Sequence, residues 1–262
     1  MRNHILRKGV VLIDKSSGMT SFDVVERACR ILGCERGGHA GTLDPNVTGL
    51  MLIALEEARK AMPLLMGMDK EYEGTMTLHG DVARENLEKT FVKFTGEIIQ
   101  KPPVRSRVAR VERKRKIHLL RILKIEGREI TFEVRCEAGT YIRKLVHDMG
   151  QDIGCGAHMS ELRRTCIGPF SIEEAVPLSK LSEKSVIPLE KILERIGVKK
   201  ITVRDEAVQK IMNGSPVFSD FIKSQEKAED NELVGIFDEK GSIMAIGKKS
   251  GDKIKTERVF LD

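Results

Sequence analysis

Asp44 is the side chain around which a chemical reading of the sequence gathers. It lies in Gly38-His39-Ala40-Gly41-Thr42-Leu43-Asp44-Pro45-Asn46-Val47-Thr48-Gly49, where three glycines surround one carboxylate and a proline follows it directly. Glycine lets a ligand approach the main chain closely, and Pro45 biases Asp44 toward extended backbone. A short acid on a shaped loop beside a rigid element suits a reactive carboxylate. The same composition also makes an ordinary turn, so chemistry requires partners. Arg143, in Gly139-Thr140-Tyr141-Ile142-Arg143, opens a helix, where an arginine is normally a solvated surface residue. Facing Asp44, its planar guanidinium would keep that acid ionised and aimed through a charge-assisted contact. Tyr72, in Lys70-Glu71-Tyr72, stands on a strand, where a lone tyrosine usually packs half-buried. Its phenol, with an ordinary pKa of about 10, is a weak base at neutral pH.

The elements that must position these groups follow from hydrophobic pattern. Gly9 to Lys15 reads as an apolar strand, Ser16 to Ser21 as a turn, and Ser21 as the N-cap of a helix over 22–32. The apolar run 50–55 reads as a buried strand followed by a helix through Ala61. A second strand region starts at Asp69, and a helix covers 84–94. Paired strands over 116–124 and 129–136 turn at Gly127, and the helix that Arg143 opens runs to about Ile153. After a connector over 177–197, a strand at 201–203, a helix over 206–212 capped by Asp205, and a hairpin over 232–247 predict a small β-rich domain. The polar stretch 219–231 carries no clear element.

Several ordered motifs resemble the TruB family of RNA pseudouridine synthases. G-H-x-G-T-L-D-P-x-x-x-G around Asp44 matches the family signature, and D-K-x-x-G-x-T-S from Asp14 to Ser21 matches its opening motif. K-E-Y at Tyr72, G-T-Y-I-R at Arg143 and G-A-H-x-x-x-L-R-R from Gly156 to Arg164 follow in order. Thr42, Val47-Thr48-Gly49, Gly168-Pro169-Phe170 and a short insertion near Gly80 resemble the archaeal and eukaryotic branch that includes dyskerin. The resemblance implies an α/β (α+β) fold with a long mixed, mainly antiparallel sheet and a central cleft. A catalytic domain would span 1–197 and a PUA RNA-binding domain 198–262. The implied reaction converts uridine in RNA to pseudouridine with no metal or organic cofactor. Asp44, Arg143 and Tyr72 would be catalytic. His39, Tyr141, Leu162 and Lys15 would bind the substrate, Leu162 lining the base pocket and His39 neighbouring an extruded uridine. The opening motif would pack beneath the loop of Asp44, with Lys15 also meeting RNA. Arg105, Arg107, Arg163 and Arg164 would bind RNA. Implied partners are an H/ACA guide RNA, rRNA and tRNA, with small H/ACA proteins including a zinc-ribbon-type subunit and a kink-turn-binding protein. Guide-independent modification of the tRNA T-loop and a catalytically silent RNA-binding scaffold are the alternatives. A pure binder, however, needs none of Asp44, Tyr72 and Arg143.

Composition agrees with an RNA partner. The 262 residues carry net charge +6 with a pI near 9.0, which suits a polyanion. Ten Lys/Arg against one Glu between Lys101 and Lys124 form a basic stretch able to meet phosphates. With no Trp and two Tyr, loose single strands find few stacking platforms. The five cysteines form no C-x-x-C pair and the six histidines no metal-ligand spacing, which argues against a disulfide framework or zinc ribbon in this chain. No apolar run reaches about 18 residues, so the expected setting is the cytoplasm, away from membranes.

Overall fold

The computed structural model describes residues 6, 8–102 and 111–260. Arg105 and Arg107 lie outside the described residues. The fold is built on two central strands, β1 (Gly9–Lys15) and β3 (Thr48–Leu55), paired antiparallel from Val10 against Ala54 to Lys15 against Gly49. Their continuous apolar sequences fit strands covered on both faces. Side chains alternate across a strand, and the two cores divide accordingly. Val11, Ile13, Met51, Ile53 and Leu55 enter one core, while Val10, Leu12, Leu50, Leu52 and Ala54 enter the other.

The first core is roofed by α1 (Ser21–Leu32). Thr20, not Ser21, is its N-cap, and Thr20 and Asp23 close a reciprocal capping box. Between α1 and β3 the short β2 (Gly37–His39) pairs with β3. After β3 the expected helix is instead a 3₁₀ turn over Glu56–Ala61, with Glu56 at φ 43°, leading into α2 (Met62–Met66). The chain continues through β4 (Lys70–Leu78), α3 (Arg84–Lys93), β5 (Gly96–Gln100), β6 (Arg113–Glu126) and β7 (Glu129–Cys136). It goes on to α4 (Ile142–Ile153), β8 (Ala157–Ile167) and β9 (Phe170–Ser171), and then to β10 (Ile187–Pro188) and α5 (Leu189–Arg195). The large sheet has the order β10-β1-β3-β8-β4-β7-β6-β5, with β2 and β9 attached to β3 and β8. Its one parallel pair of named strands among the described residues joins β3 to β8, with Thr48 opposite Arg163 and Gly49 opposite Arg164; a single parallel bridge also links Ile13 of β1 to Val176. This is the long mixed, mainly antiparallel sheet that the family resemblance implies.

The parallel contact depends on Gly49. Its φ is +107°, and a Cβ there would stand 2.2 Å from the Arg164 carbonyl oxygen and 2.6 Å from the Arg164 nitrogen. Beyond it, β4 alternates cleanly: Lys70, Tyr72, Gly74, Met76 and Leu78 all face inward. Lys70 is thereby a buried cation. Its Nζ donates to the carbonyls of Met66 (2.6 Å) and Met68 (2.5 Å), and burial lowers its pKa to about 8, helped by the nearby Arg164 charge.

The C-terminal sheet contains β11 (Lys199–Val203), β12 (Val217–Phe218), β13 (Ile222–Gln225), β14 (Leu233–Phe237), β15 (Ile243–Ser250) and β16 (Lys253–Val259). It is ordered β12-β16-β15-β14-β11-β13, with α6 (Val208–Met212) packed into its own core. Asp205 is not a cap: it begins a 3₁₀ turn whose N-cap is Arg204, with no side-chain bond. The polar 219–231 stretch contributes a 3₁₀ turn and β13. Phe237, Ile243, Ile246 and Phe260 join Leu189, Ile192 and Leu193 of α5 in the second core, so this sheet sits behind β1 and β3. Lys60 Nζ donates to Val259 O at 2.6 Å and Arg258 Nη1 to Lys60 O at 2.8 Å across the same junction.

Two outcomes are expected. Gly49→Ala should lower the unfolding free energy by more than about 2 kcal/mol in urea titrations, because it adds both left-handed strain and a backbone clash. For Lys70, the unfolded chain holds more protons than the fold between pH 8 and 10.5, so its contribution to stability rises with pH across that window. Lys70→Met should therefore show a stability advantage over the parent that shrinks by roughly 3 kcal/mol from pH 8 to 10.5, at about 1.4 kcal/mol per pH unit.

Candidate active site

The loop of residues 38–49 is held by its main chain. Val47 N donates to Asp44 O at 3.0 Å, closing a turn over the proline. From β1, Lys15 runs inward with no exposed surface, and its Nζ donates to Val47 O (2.6 Å), Pro45 O (2.9 Å) and Ser16 O (3.1 Å). A buried ammonium is costly unless its donors are satisfied, and three carbonyls satisfy this one. Burial lowers the Lys15 pKa, and the negative charge of Asp44 opposes that shift. Gly18 N donates to Pro45 O at 2.9 Å. The Ser21 hydroxyl donates to Leu43 O and accepts from Leu43 N, both at 2.8 Å. The opening motif thus grips the peptides on both sides of Asp44.

Arg164 grips the loop from the other side. Only 1% of it is exposed; Nε donates to Leu50 O at 2.7 Å and Nη2 to Gly41 O at 3.1 Å, and Tyr72 is its cross-strand neighbour. It is therefore not available to RNA, a correction to the role expected from sequence. Arg163, one residue earlier and on the opposite face, forms a two-point pair with Asp14 (Nη1–Oδ1 3.0 Å, Nη2–Oδ2 2.8 Å). Its guanidinium is already engaged within the protein. Lys15, fully enclosed, is likewise a support for the loop and not a substrate contact.

The carboxylate so positioned meets Arg143. Nη2 of Arg143 lies 2.6 Å from Oδ2 of Asp44, and the two side chains are 65% and 47% exposed. A pair this open contributes little to stability, while its geometry fixes where the carboxylate points. Arg143 stands in the first turn of α4, whose inner face (Ile142, Leu145, Val146, Met149) is buried in the first core. Tyr141, half-buried at the N-cap, is held by Gln100: Tyr141 N donates to Gln100 Oε1 at 3.0 Å, and Gln100 Nε2 donates to Tyr141 O at 3.2 Å.

Tyr72 of β4 pairs with Arg164 of β8, and Gly74 with Leu162, so Tyr72, Arg164 and Leu162 share one sheet face, the face α4 covers. A Cβ at Gly74 would come within 3.1 Å of the Leu162 Cδ1. Burial raises the Tyr72 pKa, with Arg164 opposing, so the phenol stays protonated near neutrality and offers a packing surface and not a base. His39, half-buried at the end of β2, accepts from Gly41 N through Nδ1 at 3.4 Å. Burial and then the Arg164 charge lower its pKa, so its imidazole is neutral. Among the described residues no three His, Cys, Asp or Glu side chains are grouped to hold a metal ion. A cavity of about 690 Å³ between α3 and β6, lined by Phe91, Val92, Leu120 and Ile122 among others, includes none of these residues.

The arrangement gives one solvent-open carboxylate, fixed by main-chain contacts below and a guanidinium above, on a loop held by Arg164 from the sheet face that also carries Tyr72 and Leu162. Sequence reasoning missed Ser21 and Gln100 as supports, since a helix-start serine and a strand-end glutamine look unremarkable. The inward face of Lys70 was readable from its alternation with Tyr72.

Comparison with known proteins gives the context. Residues 29–142 match the model for the TruB family pseudouridylate synthase N-terminal domain, 143–201 the tRNA pseudouridylate synthase B C-terminal domain, and 199–253 the PUA domain. A Methanopyrus kandleri protein named "Probable tRNA pseudouridine synthase B" is 44% identical over 258 residues, 92% of this chain and 76% of its own. A Pyrococcus abyssi protein of the same name is 37% identical over 98% of this chain and 84% of its own. Among solved structures, a chain of a Cbf5-Nop10-Gar1 complex superposes with TM-score 0.84 at 38% identity, covering 98% of this chain and 86% of that one. A chain of an H/ACA RNP bound to a substrate RNA containing 2'-deoxyuridine gives 0.83 at 35% identity, covering 98% and 86%. With this agreement along nearly its whole length, the chain belongs to the TruB family of pseudouridine synthases, enzymes that isomerise uridine in RNA.

Proposed function

We propose that Asp44 engages the sugar of an extruded uridine, and that the uridine is selected by a guide RNA. The observation that carries the catalytic part is the 2.6 Å contact between Arg143 and Asp44, both open to solvent. A carboxylate that attacks or withdraws charge from the ribose must be held in one orientation, and the adjacent guanidinium supplies that through a charge-assisted contact. During the reaction the glycosidic N1–C1′ bond breaks, the base rotates while held, C5 forms the new bond to C1′ and releases its proton to solvent, N1 takes up a proton, and any bond to Asp44 breaks to return the carboxylate. Tyr72 packs on the uracil and Leu162 keeps the detached base from leaving. His39, neutral and half-buried, neighbours the flipped nucleotide, as does Tyr141. Residues 1–197 carry this chemistry and 198–262 grip RNA. The basic 101–124 stretch, including Arg105 and Arg107, meets its phosphates.

Support for guide dependence comes from two solved relatives described in H/ACA assemblies, one of them bound to a substrate RNA. By this reading the chain works with a guide RNA and small partner proteins on rRNA, and also on tRNA. The names of the curated relatives favour a second reading, direct modification of tRNA.

Asp44→Asn should bind substrate RNA within about threefold of the parent yet form pseudouridine at least about 10³-fold more slowly. Substantial activity in tritium release from uridine-labelled RNA would end the catalytic assignment. In the same assay the purified chain should be nearly inactive on tRNA transcript and gain activity when guide RNA and partner proteins are added. Efficient turnover of tRNA alone would favour the second reading.

A further inference from the structure

Gln100 occupies an unusual place relative to the reacting pair. It is the last residue of β5, the edge strand of the large sheet, and only 2% of it is exposed. Both ends of its amide serve one residue: Oε1 accepts from Tyr141 N and Nε2 donates to Tyr141 O. A side-chain amide used in both senses on one residue holds that residue as a neighbouring strand would.

Tyr141 is where α4 begins. Its carbonyl accepts the first helical bond, from Leu145 N at 3.0 Å, and is the same oxygen that Gln100 reaches. The helix has no side-chain cap and no acidic residue in its first turn. Its first turn carries a cation, Arg143, at the end where the helix field is positive. An N-terminus so built frays readily, because its first N–H groups lack partners. Arg143 stands two residues beyond Tyr141, so any drift of the helix origin moves the guanidinium relative to Asp44. The loop bearing Asp44 is fixed by Lys15, Ser21 and Arg164, none of which touches this end of α4 in the bonds described. The alignment of the pair therefore rests on two separate anchors, one for each partner.

We propose that Gln100 is a positioning residue for the isomerisation. It anchors the start of α4 so that Arg143 meets Asp44 in the productive orientation, acting through Arg143 and not on the RNA. This rests on the reading of Asp44 and Arg143 as the reacting pair. A misplacement of about 1 Å can slow an enzyme by about a hundredfold, so an effect on rate is expected with no change in RNA affinity.

The test is a double-mutant cycle in single-turnover assays at saturating RNA, with the full chain under the conditions in which it is active. Gln100→Met keeps the buried volume and removes both hydrogen bonds. It should slow pseudouridine formation about 10- to 50-fold while the RNA Kd stays within twofold. In an Arg143→Ala background, where there is no guanidinium to aim, Gln100→Met should slow the residual rate less than twofold. Equal losses in both backgrounds, or an unchanged rate in Gln100→Met alone, overturn the proposal. If circular dichroism shows that Gln100→Met is poorly folded, Gln100→Glu, which keeps the acceptor for Tyr141 N, goes through the same cycle with the same criteria. Failure of the underlying reading has its own signature: Arg143→Ala alone would keep the parental rate.

Discussion

Two buried cations, Lys15 and Arg164, hold the loop of Asp44 by its carbonyl oxygens, and the rest of the site depends on that choice of partner. Lys15 serves Pro45 and Val47, and Arg164 serves Gly41 and Leu50. Charge buried away from water is usually neutralised by an opposite charge. Here carbonyl dipoles satisfy both cations, so neither takes the carboxylate of Asp44 as its hydrogen-bond partner. The acid stays on the outer side of the loop, where Arg143 meets it. Arg164 also sits opposite Tyr72 across the β8–β4 pairing, so the apolar floor and the loop share one fixed point.

That fixed point exists because β3 and β8 run unusually close. The contact of Gly49 with the Arg164 backbone brings a residue late in the chain under a loop early in it, and β4 adds Tyr72 on the same face through its pairing with β8. Four stretches far apart in sequence, around residues 15, 44, 72 and 164, meet across the four neighbouring strands β1, β3, β8 and β4 and the loop that enters β3. The C-terminal sheet takes no part in this convergence. It closes the opposite face of β1 and β3 through Phe237, Ile243, Ile246 and Phe260, which leaves the face bearing Asp44 clear.

Much of this was legible in the sequence, and the gaps have identifiable causes. The apolar runs of β1 and β3, the alternation of β4 and the glycine-rich loop could be read locally, because each depends on neighbours within a few residues. The ordered motifs singled out Asp44, Tyr72 and Arg143. The burial of Arg164 could not be read, because it depends on strand register. β8 shifts register against β4 between Glu71 and Tyr72 and again between Thr75 and Met76, and a shift of one residue exchanges the inward and outward faces. Arg163 and Arg164 look alike as a basic pair, yet one binds Asp14 and the other the loop interior. Ser21 was misread as a cap because Thr20, a competing hydroxyl, precedes it, and only the position of Leu43 shows why the second one matters.

A loop gripped by main-chain atoms carries its shape independently of most of its own side chains. The exposed side chains of Thr42 and Asn46 supply none of the bonds that fix the backbone between Gly41 and Leu50. Substitutions there can accumulate over evolutionary time without distorting the carboxylate's perch, whereas drift at Lys15, Ser21 or Arg164, all distant in the chain, would be felt at once. The tolerance to variation in this stretch is therefore set from outside it.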